Sequence, residues 1–147
     1  MFRDKWVGVL LLIGLALALA VAAQVWRMQR WRYYVWQIER TARAGRRLDE
    51  WHFLGRLAGL GKGAIPGLER LLGSRDEEVF NLGCKTIDRM SFPNLTFNQY
   101  LALFNCNSEP PAPRRLPYLR PVLEALLTRK EAWARSVGLN YLVVHVP

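Results

Sequence analysis

Residues 64–90 read AIPGLERLLGSRDEEVFNLGCKTIDRM, and this stretch decides the fold. Pro66 stands near a helix start, where its missing N–H costs nothing, and Ile65, Leu68, Leu71 and Leu72 then make one apolar face. Gly73 ends that helix. Ser74 and Glu77 have the spacing of a capping box for the next one, which turns Val79, Leu82, Gly83 and Ile87 inward. The pattern predicts a short helix, a tight turn and a longer helix.

The pattern recurs. Shifted by 55 residues without a gap, Pro66 matches Pro121, Leu68 matches Leu123, Leu71 and Leu72 match Leu126 and Leu127, and Gly83 matches Gly138. Thr128 and Glu131 supply a second capping-box spacing. Upstream, LDEWHFLGRLAGL, residues 48–60, sets Trp51, Leu54, Leu57, Ala58 and Leu60 at helical spacing before the stop at Gly61-Lys62-Gly63. It reads as the second helix of an earlier, degenerate copy. A period of 55 exceeds the roughly 40–47 residues usual for helical-hairpin repeats, so an insertion is expected at about 91–118. Within it, Thr96-x-x-Gln99 caps a short helix bearing Phe97, Tyr100, Leu101, Leu103 and Phe104. SEPPAPRRLP, residues 108–117, follows as an extended segment, either a solvated linker or a docking stretch.

The hairpin resembles a HEAT repeat of the short bacterial type also seen in phycobilisome lyase-like proteins. The residues that carry the resemblance are Ala64-Ile65-Pro66-x-Leu68-x-x-Leu71-Leu72, then Asp76-x-x-Val79, then Gly83, Cys84 and Ile87. The family usually has an arginine after the valine; Phe80 stands there, and Arg135 restores the arginine in the second copy. The resemblance implies an all-α protein whose domain, residues 48–147, is a short α-solenoid of HEAT-like hairpins. It further implies a non-catalytic scaffold that presents a ridge of second-helix side chains to a protein partner. Helical phase nominates Asn81, Lys85, Asp88 and Arg89 on the first copy, with Arg135 and Asn140 on the later one. A tetrapyrrole-handling, lyase-like protein is the alternative that the same resemblance carries.

Before the repeats, Arg27 to Arg47 is helical in pattern, with Trp31, Tyr34, Val35, Ile38 and Ala42 on one face and Arg32, Trp36, Arg40, Arg43 and Arg47 on the other. Such a helix either lies in lipid headgroups or packs its apolar face on the helices that follow. Ahead of it, Trp6 to Trp26 holds no charge, and its 21 residues suit a single membrane-spanning helix ending residues 1–26. Trp6, Trp26, Arg27, Arg30, Trp31 and Arg32 are the expected interface residues. A cleaved signal sequence with Ala20-Val21-Ala22 as its cleavage site is the rival reading. Ala16 with Ala20, and Ala18 with Ala22, offer only a weak route to a homo-oligomer through this helix. The chain also suits a small bitopic subunit of a larger membrane complex.

The net charge of +9 is concentrated beside the apolar helix, where seven arginines face one acid, Glu39, between residues 27 and 47. The positive-inside rule then places the N-terminus outside and the domain in the cytoplasm. Anionic lipid headgroups, not nucleic acid, are the partner this distribution fits. His52, Cys84, Cys106 and His145 are singletons without metal-ligand spacing, so no metal or cofactor is expected. Asp76, Glu77 and Glu78 suit a helix N-terminus. Gly59, Gly61 and Gly63 lack the loop-then-lysine order of a nucleotide cradle, and no catalytic residue is assigned.

Overall fold

The computed structural model describes residues 2–105 and 112–146, and side chains within 7–102 and 112–146. Cys106 and the first part of the Pro-rich stretch lie outside the described residues, as does the Trp6 side chain. Every regular element among the described residues is helical: α1 Phe2–Arg43, α2 Arg47–Ala58, α3 Ile65–Leu72, α4 Glu77–Ser91, α5 Phe97–Asn105, α6 Arg120–Leu127 and α7 Ala132–His145. Short 3₁₀ turns, Gly61–Ala64 and Pro117–Leu119, lead into α3 and α6.

The chain divides into two compact units, Met1–Arg30 and Trp31–Pro147. In the first, the described side chains from Val7 to Gln29 are all exposed, Leu10, Leu11 and Leu12 among them. This helix is long and apolar enough to cross a membrane.

The second unit has one core. Val35 and Ile38 of α1 are fully buried with Leu54 and Leu57 of α2, Leu68 and Leu71 of α3, Ile87 of α4 and Leu123 of α6. Trp31, Tyr34 and Ala42 pack against that core, while Trp36 stays exposed with the Arg40 guanidinium 5.3 Å from its ring. Of the two readings of the 27–47 segment, its apolar face is therefore a core face from Trp31 onward.

α3 packs on α4, α6 on α7, and α3 on α6. The 55-residue shift carries Ile65–Leu72 onto Arg120–Leu127 end for end, and Glu77, the first residue of α4, onto Ala132, the first of α7. Each hairpin closes over a glycine. A Cβ on Gly83 would lie 2.7 Å from Leu72 Cδ2, and one on Gly138 would lie 2.8 Å from Leu126 Cβ. Both clashes are too close for any side chain larger than hydrogen without movement.

Helix capping departs from the spacing argument in both copies. Asp76, not Ser74, caps α4: its Oδ1 accepts the Glu78 N–H at 2.9 Å, while Ser74 Oγ accepts the Asp76 N–H at 3.1 Å. Two nested short turns replace the box, each side-chain oxygen accepting from the amide two residues on. In the second copy the Thr128 hydroxyl donates to Ala125 O at 2.9 Å, and Glu131 at the cap position pairs with Arg129 at 3.1 Å. The box expected ahead of α5 forms reciprocally, with the Thr96 N–H on Gln99 Oε1 (2.9 Å) and the Gln99 N–H on Thr96 Oγ1 (3.3 Å).

A ring pair and an arginine are among the contacts that join the hairpins. Phe80, which the 55-residue shift pairs with Arg135, meets Trp133 edge to face with centroids 4.4 Å apart. Arg129 donates from Nη1 to Leu72 O (2.6 Å) and Ser74 O (3.1 Å), satisfying carbonyls where α3 ends.

Candidate functional site

Asn81, Lys85 and Asp88 stand at i, i+4 and i+7 on α4, one stripe of the helix surface. With Arg47, Glu50 and Tyr100 they line a groove of about 520 Å³. Lys85 Nζ donates to Glu50 Oε1 at 2.7 Å, joining α4 to α2. The Glu50 carboxylate is largely removed from water, so this pair is held more firmly than an exposed one.

Asp88 is half-buried in the groove wall. Its Oδ1 accepts from the Tyr141 hydroxyl at 2.7 Å and its Oδ2 from the Tyr100 hydroxyl at 3.1 Å. Burial raises the Asp88 pKa above the usual carboxylate value, and the two phenols oppose that rise. The neighbouring Cys84 thiol is pushed up to about 12, by burial first and the Asp88 charge second. It is a protonated thiol at neutral pH, not a poised nucleophile. Tyr100 and Tyr141 are likewise raised, by burial and then by Asp88, so both remain donors.

The other nominated residues go elsewhere. Arg89 points to a different cavity, with Nη1 donating to Pro93 O (3.0 Å) and Leu95 O (2.5 Å) and its guanidinium 4.8 Å from the Trp51 ring. Arg135 donates from Nη1 to Arg129 O and Lys130 O at 2.8 and 2.7 Å, closing the turn of its own hairpin. Asn140 is exposed on α7, outside the groove. Of the interface residues, Trp26 and Arg27 are exposed, Arg30 and Trp31 half-buried, and the Arg32 guanidinium lies 5.5 Å from the Trp31 ring.

Tyr100 and Glu50 line the groove and Tyr141 holds Asp88 beside it, and no local pattern marks any of the three as groove residues. His145 is a fuller surprise. It is 1 % exposed, with Nδ1 3.2 Å from Arg114 O and Nε2 3.2 Å from Ser91 Oγ. A carbonyl can only accept, so Nδ1 carries the proton and Nε2 faces the Ser91 hydroxyl. The signal was in the repeat: 55 residues earlier stands Met90, also buried. His52 is exposed and accepts from Arg56 Nε at 3.4 Å. Among the described residues no three His, Cys, Asp or Glu side chains converge as a metal cage.

The chain matches no protein-family profile, no curated protein and no solved structure.

Proposed function

We propose that this protein is a membrane-anchored, non-catalytic interaction module whose HEAT-like helical domain presents the Asn81–Lys85–Asp88 groove to a partner protein in the cytoplasm. The observation that carries the reading is the groove itself. It exposes charges of both signs on one face of α4, with Asp88 fixed by two phenols and Lys85 by Glu50. Fixed charges of alternating sign select a complementary protein surface by charge pattern and register. The HEAT-like reading draws support from the matching bounds of α3 and α6 and from the two glycine closures. The cytoplasmic placement draws support from the seven arginines that follow the apolar helix.

The test is a pull-down of the full chain in mild detergent, comparing wild type with Asn81→Arg and Lys85→Glu. Asn81 is exposed, so Asn81→Arg leaves the fold intact, which far-UV circular dichroism verifies. A partner lost from both variants supports the groove. An unchanged set of partners overturns it.

A further inference from the structure

A second cavity, of about 300 Å³, collects three cations and no acid. Lys62 comes from the turn after α2, Arg89 from α4 and Arg114 from the segment before Leu116, and no Asp or Glu lines the space. The ion pairs among the described residues use other cations, so none of these three has a carboxylate partner there. Like charges gathered in a partly desolvated space repel, and that repulsion is unrelieved within the described residues.

Arg89 is held in place without being neutralised. Two backbone carbonyls and the Trp51 ring orient it, and a Cβ on Gly55 would approach its Nε to 3.2 Å. Burial lowers its pKa, and its Nε is buried without a hydrogen-bond partner among the described residues. Gly55, Gly59 and Gly61 also line the space; Gly55 lets the Arg89 guanidinium lie close, and a Cβ on Gly61 would meet nothing within 4 Å. The volume is at the lower end of small-ligand sites, about 300–1,000 Å³, enough for a phosphate or diphosphate group. Linear spacing could not disclose the site, because its cations lie in three separate segments.

We propose that the cavity formed by Lys62, Arg89, Arg114 and the Gly55–Gly61 wall binds a phosphate-bearing anion, whether a soluble phosphorylated compound or a phospholipid headgroup. Arginine supplies the planar donors and lysine the mobile point charge that such oxygens need.

The full chain is reconstituted in phosphatidylcholine nanodiscs at low salt and titrated with inorganic pyrophosphate, read by calorimetry and by Tm. Saturable binding that Lys62→Gln and Arg114→Gln each weaken tenfold or more, and that Lys130→Gln, at an exposed cation outside both cavities, leaves unchanged, assigns a soluble phosphate ligand. No response to pyrophosphate, but a Tm gain in phosphatidylglycerol nanodiscs that both Gln variants lose, assigns the headgroup. No response in either arm, or responses that both variants retain, overturns the proposal. The groove variants and the cavity variants share no residue, so either reading fails without the other.

Discussion

A methyl group on Gly83 would stand 2.7 Å from Cδ2 of Leu72, a side chain that is itself 1 % exposed. Gly83→Ala therefore forces a buried leucine to move, at an overpacking cost of ~1–3 kcal/mol, against about 1 kcal/mol of helix propensity gained. Gly138→Ala meets less yielding neighbours, Leu126 Cβ at 2.8 Å and the Leu123 carbonyl oxygen at 3.1 Å. It is expected to cost more than Gly83→Ala. Urea midpoints of the two variants in detergent check the order, and equal midpoints would contradict it.

Phe80 is buried against Trp133, so Phe80→Ala removes the apolar tie between the hairpins. The expected loss is about 3–5 kcal/mol, the usual range for truncating a core phenylalanine. A double-mutant cycle with Trp133→Leu isolates the ring pair, with a coupling of about 0.5–1.5 kcal/mol. A coupling near zero would mean the edge-to-face geometry contributes nothing beyond burial.

Arg129→Met leaves the Leu72 and Ser74 carbonyls and the Glu131 carboxylate without their donor. The expected cost is ~1.5–3 kcal/mol, the range for hydrogen bonds to a charged group. Arg129→Lys is expected to recover only part of it, since an ammonium cannot reproduce the fork that serves three acceptors. Amide exchange at Arg75 and Asp76, in the turn that Arg129 holds, should accelerate in both variants.

Asp88 and His145 give stability opposite dependences on pH. The folded pKa of Asp88 is raised, so its contribution is complete below the unfolded value, about 3.9, and is lost as pH rises through the folded value. The folded pKa of His145 is lowered, chiefly by burial. Its contribution is complete above the unfolded value, about 6.5, and is lost as pH falls through the folded one. Relative to wild type, Asp88→Asn should therefore lose ground as pH is lowered from 7 towards 4, whereas His145→Gln should gain ground below about pH 6.5. Urea midpoints across that range decide both signs, and curves parallel to wild type would contradict them.

The helices were legible where a period of 3.6 and a terminator coincide: Pro66 and Gly73 bracket α3, and Pro121 and Leu127 bracket its copy. The stripe Asn81, Lys85 and Asp88 was legible for the same reason. Helical phase also groups Arg89, four residues after Lys85, with that stripe, yet it lies about 100° round the helix from Asp88 and lines another cavity. The burial of His145 has no local signature, because its polarity is offset only by partners at Ser91 and Arg114, 54 and 31 residues away. The phenols on Asp88 come from 12 and 53 residues away, and no local pattern encodes such a distance.

Those phenols have a further consequence. Tyr100 belongs to the insertion and Tyr141 to the final helix, and both end on one carboxylate of α4. If either element opens, the other is left donating to an anion that has lost half its compensation in a buried place. The shared acceptor thus makes a thermodynamic unit of two segments that sequence distance would keep independent. Through Tyr100, α5 opens and closes with the final helix.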